Sequence, residues 1–82
     1  MYFTYILQSE KDESYYIGYT IDIENRLWEH NEGRTGYTKS KRPWNLVYKE
    51  EFQTRREAMA RERWLKCLKS KKYIEKLLGV GL

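Results

Sequence analysis

The chain predicts an α+β fold: a small, three-stranded, mostly antiparallel sheet flanked by helices in the order ββαβαα. Three observations carry this. Two runs of aromatic and β-branched residues, 2–8 and 15–20, are separated by the polar stretch Ser9-Glu10-Lys11-Asp12-Glu13-Ser14, the pattern of a hairpin. Asp22 stands ahead of Ile23 and Leu27, apolar residues at i, i+4 in a segment closed by Gly33, the pattern of a capped helix. Thr54-x-x-Glu57 is a capping box at the head of a second helical pattern,.

Taken in order, residues 2–8 and 15–20 are the first two strands. A helix over 23–32 follows, with Asp22 as its cap and Glu24 in its first turn, where a carboxylate complements the helix dipole,. Residues 33–44 (GRTGYTKSKRPW) are expected as a loop, from their glycines, proline and polarity,. Residues 46–52 are the third strand. The capping box opens a helix to about Leu68, with Ala58, Arg61, Leu65 and Leu68 on its buried side,. A last helix, capped by Ser70 and ended by Gly79, presents Ile74, Leu77 and Leu78 on one face,. With no repeat or linker, one domain over residues 1–82 is expected.

At 82 residues, with three Trp, eight Tyr and two Phe, the aromatics must supply much of a core that is only just large enough. One Cys and one His exclude an internal disulfide and the usual Cys/His zinc site. No apolar run reaches the length of a signal or membrane segment, so a cytoplasmic protein is expected. The net charge of +4 is unevenly spread. Residues 1–32 hold Lys11 and Arg26 against seven acids, net −5, while residues 33–82 hold 14 basic residues against five acids, net +9. A basic half suits a polyanionic partner, and it also suits a solvated surface.

Six residues concentrate the chemistry. Tyr5 and Tyr16, on paired strands, can reach one face, although tyrosine in a strand is also an ordinary half-buried core residue. A phenol with its usual pKa near ~10 is a poor base at neutral pH without help. Loss of either hydroxyl is expected to cost little stability. Gly18 in a strand marks a bulge or a close approach to the backbone, such as that of a substrate. Arg26 and His30 lie one helical turn apart. A guanidinium suits phosphate oxygens and an imidazole relays protons; a surface ion pair of Arg26 with Glu29 or Asp22, and a helix-terminal role for His30, are the plainer alternatives. Glu62 borders an apolar stripe, where a carboxylate must be paired, hydrated or metal-bound. One carboxylate suffices for Mg²⁺, which fills its shell with waters and substrate oxygens; an ion pair with Arg26, Arg61 or Lys66 is the alternative.

In the 33–44 loop, Arg34, Lys39, Lys41 and Arg42 are interleaved with Tyr37 and Trp44. Such a segment can neutralise phosphates while aromatics stack on bases; equally, it can be a solvated loop with Trp44 folded into the core. Cys67 falls opposite the buried stripe and has no partner for a nucleophilic dyad.

In register over some 60 residues, these pieces resemble the GIY-YIG nuclease superfamily, and in particular its small stand-alone bacterial members, the YhbQ-like proteins. Tyr16-Ile17-Gly18 matches the second half of the signature. Tyr5 matches the tyrosine of the first half, although Phe3-Thr4 replaces Gly-Ile. Arg26, His30 and Glu62 fall where the family pattern expects them, and Tyr37-Thr38 and Arg42-Pro43 resemble the small bacterial members. The resemblance implies an endonuclease that hydrolyses a DNA phosphodiester with one Mg²⁺ or Mn²⁺. By it, Tyr5 is a general base assisted by His30, Tyr16 orients water or a phosphate oxygen, Arg26 stabilises charge and Glu62 holds the metal. Arg34, Tyr37, Lys39, Lys41 and Arg42 are the expected DNA contacts. Larger members carry an Asn after the metal-binding helix, and no Asn follows Glu62 here. With no room for a separate reading domain, the expected substrate is single-stranded or branched DNA, in repair or DNA processing. The alternative is a catalytically weak module that binds nucleic acid or protein within a repair complex.

Overall fold

The computed structural model describes residues 1–34, 36–68 and 71–79. Strands β1 (Tyr2–Ser9), β2 (Tyr15–Thr20) and β3 (Trp44–Phe52) form one sheet in the order β2-β1-β3, antiparallel throughout. Helices α1 (Ile23–Asn31), α2 (Gly36–Lys39), α3 (Arg55–Leu68) and α4 (Lys71–Leu77) complete the fold. The predicted α+β sheet flanked by helices is therefore present.

The sheet is covered on both faces because its strands alternate two apolar sets. Tyr5 and Leu7 point one way and pack with Trp44, Leu46 and the α1 residues Ile23 and Leu27. Ile6 points the other way and packs with Leu65 of α3, Ile74 of α4, Tyr15 and Ile17. Thr4, on that same side, donates its hydroxyl to the Ala58 carbonyl of α3 at 2.7 Å.

One irregularity in β3 makes this division work. Ile6 pairs with Tyr48 and Leu7 with Leu46, leaving Val47 as an extra residue. This bulge lets both Val47 and Tyr48 join the α3/α4 side, while Leu46 and Trp44 serve the α1 side.

Local signals explain the helix ends. Asp22 accepts from the Asn25 amide at 3.1 Å, and Thr54 and Glu57 exchange the reciprocal bonds of the capping box. Arg61, expected on the buried side of α3, lies half-buried and turns its guanidinium to Glu50 of β3 at 2.7 Å. The proposed Ser70 cap lies outside the described residues. Two expectations need correction. The 33–44 segment is not all loop, since it contains the single turn α2. The third strand starts at Trp44 rather than residue 46, because Asn31 clamps the Trp44 backbone, accepting from its amide at 2.6 Å and donating to its carbonyl at 3.2 Å. Among the described residues no helix is long and apolar enough to cross a membrane.

Candidate active site at the β2 edge

Antiparallel register sets the tyrosines. Tyr5 pairs with Gly18 and Leu7 with Tyr16, so Tyr5 and Tyr16 are diagonal neighbours on one face, with ring centroids 6.4 Å apart,. Tyr5 is only 2 % exposed. Its ring crosses over Gly18: a Cβ built on that glycine would lie 2.6 Å from the Tyr5 hydroxyl and 2.8 Å from the ring carbon bearing it. The group that closely approaches the Gly18 backbone is thus the Tyr5 side chain.

From α1, His30 reaches the same spot. It is fully buried, with Nε2 3.0 Å from the Tyr5 hydroxyl and Nδ1 2.8 Å from the Thr38 hydroxyl. Its ring also meets the Tyr16 ring edge-on at 4.9 Å. Thr38 belongs to α2 and is buried as well, and its carbonyl accepts from Trp44 Nε1 at 2.9 Å. Burial, and secondarily the Arg26 charge, lower the His30 pKa to about 4, so the imidazole is neutral at pH 7. Burial pushes the Tyr5 phenol up to about 12, against the opposing pull of the Arg26 guanidinium at its hydroxyl. Arg26 itself is one-third exposed and is held by Glu29 at 3.1 Å. Its helix thus directs one charge toward Tyr5 and leaves it accessible from solvent.

Glu62 comes from α3, which covers the opposite face of the sheet. β2 is an edge strand, and around that edge α3 brings Glu62 and Lys66 toward the tyrosines. The Glu62 charge is felt at Tyr5, and Lys66 Nζ stands 5.9 Å from the centre of the Tyr16 ring. Glu62 Oε2 is paired with Lys66 Nζ at 3.2 Å. Among the described residues no three His, Cys, Asp or Glu side chains gather as metal ligands. The donor set is therefore one carboxylate, partly exposed. That fits a hard divalent cation such as Mg²⁺, which completes its shell with water and phosphate oxygens, and it does not fit a metal caged by protein alone.

The basic segment divides. Tyr37 is 60 % exposed and lies 6.1 Å from the Tyr16 ring, with Lys41 over its own ring at 5.4 Å. Lys41 also pairs with Asp12 at 3.3 Å. Arg34 instead stacks on Trp28 at 4.8 Å. Arg42 packs against Gly33, whose φ of 78° brings the chain back at the end of α1, and Lys39 lies alongside. Trp44 is core, and Cys67 is exposed. Sequence reasoning missed Thr38 as the second partner of His30; its one signal was the Tyr37-Thr38 pair. It named Lys66 as one of three alternative partners for Glu62 and as one of the basic residues along the last two helices.

Comparison with known proteins shows the family and the fold. The family model described as the GIY-YIG catalytic domain matches residues 1–74. The UPF0213 protein YazA of Bacillus subtilis is 45% identical over an alignment of 78 positions that covers 90% of this chain and 78% of that protein. A UPF0213 protein of Staphylococcus saprophyticus is 43% identical over 81 residues, covering 98% and 96% of the two chains. The solution NMR structure of a UPF0213 protein from Bacillus halodurans superposes with a TM-score of 0.60 at 36% identity, covering 96% of this chain and 84% of that one. With the tyrosine pair, the arginine, the histidine and the carboxylate standing together on the expected fold, this chain belongs to the GIY-YIG catalytic-domain family, a family of nucleases.

Proposed function

We propose that this protein is a metal-dependent endonuclease that hydrolyses DNA phosphodiester bonds, with a preference for single-stranded or branched DNA, in repair or DNA processing. The observation that supports this most is the chain Tyr5 Oη, His30 Nε2, His30 Nδ1, Thr38 Oγ1, buried behind Arg26 and within electrostatic reach of Glu62. Nothing in a plain core needs a neutral imidazole wired to a phenol beside an accessible guanidinium.

The pKa directions shape the chemistry. Tyr5 is protonated at pH 7 and cannot start as a phenolate. It acts instead as a relay: a water hands its proton to Tyr5 Oη as the Tyr5 proton moves to His30 Nε2. This requires the tautomer with the proton on Nδ1, donated to the Thr38 hydroxyl. The water oxygen then bonds phosphorus, the opposite P–O bond breaks, the leaving oxygen is protonated from solvent, and His30 returns its proton through Tyr5 Oη to solvent. Arg26 neutralises charge building on the phosphate, and Tyr16 orients the water or a phosphate oxygen. Glu62 would hold one Mg²⁺ or Mn²⁺, as nucleases of this family generally use divalent ions; when bound, such an ion supplies Lewis-acid stabilisation of the leaving oxygen.

One observation favours the second reading, a binding module with weak catalysis: Glu62 is occupied by Lys66. Cleavage of end-labelled single-stranded, duplex and flapped DNA with Mg²⁺ or Mn²⁺, by wild type and Glu62→Ala, separates the two. Cleavage by wild type alone supports the nuclease. Binding by both proteins with cleavage by neither supports the module.

A further inference from the structure

A cleft of about 570 Å³ opens directly beside Tyr16, within the ~300–1,000 Å³ range of small-molecule sites. Tyr15, Tyr16 and Tyr37 supply aromatic walls, and Ile17, Leu65 and Ile74 an apolar floor. Lys66 and Lys71 stand on its rim, with Lys71 Nζ 6.0 Å from the centre of the Tyr15 ring. Among the described residues Lys66 is paired with Glu62 and the one carboxylate in the lining, Asp12, with Lys41, whereas Lys71 forms no ion pair; Glu75 and Glu13 act on Tyr15 from outside the lining. The cleft therefore offers flat apolar surfaces with one lysine, Lys71, outside any ion pair at its rim. That is the complement of a nucleotide, which carries a planar base on an anionic backbone.

We infer that this cleft receives one unpaired nucleobase of the DNA strand, next to the phosphate held at Tyr5 and Arg26, and that it sets the preference for unpaired substrate. The inference rests on the nuclease reading above and names the feature of its substrate that is recognised. Tyr16 is the shared wall: its ring meets His30 at 4.9 Å and Trp44 at 6.2 Å, and Tyr37, which also lines the cleft, lies 6.1 Å away. Arg26 acts on both Tyr5 and Tyr16, so a strand whose phosphate reaches Arg26 would bring a neighbouring base to this wall. A base stacked and paired in a duplex cannot enter, and extruding it costs unpairing energy that a single-stranded or flapped end does not incur. The walls are rings and aliphatic chains rather than an array of donors and acceptors, so the site accepts any base.

The test is made in EDTA, where binding is read without cleavage. The full chain is titrated with a deoxynucleoside 5′-monophosphate, and separately with inorganic phosphate, while backbone amide shifts are followed by NMR. Shifts at Tyr15, Ile17 and Lys71 with the nucleotide, absent with phosphate, are expected. Tyr37→Ala and Lys71→Ala replace exposed side chains and leave the core intact. Tyr37→Ala is expected to weaken single-stranded DNA roughly 5- to 100-fold and to reduce the ratio of single-stranded to duplex affinity. Lys71→Ala is expected to flatten the salt dependence. No shifts in the cleft, the same shifts with phosphate alone, or an unchanged affinity ratio in Tyr37→Ala overturns the inference. Base binding in the cleft by a protein that never cleaves DNA would remove the nuclease reading and leave the receptor standing.

Discussion

The Tyr5 hydroxyl occupies the space in which a side chain on Gly18 would begin, with only 2.6 Å between them. Gly18→Ala must therefore push the Tyr5 ring away and stretch its 3.0 Å bond to His30. Overpacking of this kind costs about 1–3 kcal/mol. Chemical denaturation should show that loss, and DNA cleavage should fall at least tenfold by order of magnitude. Wild-type stability together with a wild-type rate would mean that the ring yields freely and its position is unimportant.

The two tyrosines should separate on losing their hydroxyls. Tyr5 Oη is buried and hydrogen-bonded to His30, so Tyr5→Phe should cost about 1–2 kcal/mol. Tyr16 is half-buried, and no hydrogen bond to its hydroxyl is seen among the described residues, so Tyr16→Phe should cost under about 0.5 kcal/mol. The sequence-based expectation of a small cost at both positions is thus revised for Tyr5. Equal stabilities in urea melts would contradict the buried relay.

His30 imposes a pH dependence with a definite sign. Its folded pKa of about 4 lies below the ordinary value near 6.5, so the unfolded chain binds the proton more tightly between these limits. Stability from this residue is complete above about pH 6.5 and is lost as pH falls through 4, by about 3 kcal/mol. His30→Gln should flatten that part of the stability–pH curve. The acid limb of the cleavage profile should likewise fall nearer pH 4–5 than 6.5, since the imidazole stays an acceptor until then. A limb centred at 6.5 would exclude His30 as the proton acceptor.

Lys66 competes with a cation for Glu62. The ion pair spans one turn of α3, with the lysine side chain half-exposed, and such pairs contribute about 0.3–0.5 kcal/mol. Lys66→Gln should therefore improve Mn²⁺ binding to the DNA-free protein only about twofold, read by paramagnetic relaxation of water. Glu62→Gln should abolish it. Unchanged Mn²⁺ binding in Glu62→Gln would place the ion elsewhere.

How much of this was legible beforehand follows from the range over which each signal acts. The hairpin, the α1 cap and the capping box of α3 are written in neighbouring residues, and all are present. The faces of Tyr5 and Tyr16 follow from strand alternation once the hairpin is granted. Thr38 could not be found that way: a threonine in a polar stretch has no signature until His30 is known to be buried and in need of a second partner. The turn α2 is too short for any periodicity, and it starts at Gly36. Trp44 sits directly after Pro43, which argued for loop, yet Asn31 from another element fixes its backbone. The cleft beside Tyr16 joins β2, α2, α3 and α4, and no local pattern announces it.

Val47 determines where this chain could tolerate insertions and deletions. As the surplus residue of β3, it could be lost while Ile6 still faced Tyr48 and Leu7 still faced Leu46. Inserting a residue in β1 or β2 has the opposite outcome, since it rotates everything beyond it to the other side of the sheet and carries Tyr5 or Tyr16 away from His30. The distance in sequence between the two tyrosines is consequently free to vary only in the exposed turn over residues 10–14. In this chain, extra length is absorbed at the hairpin tip without moving either tyrosine, and in a strand only where a bulge like that of Val47 takes it up,.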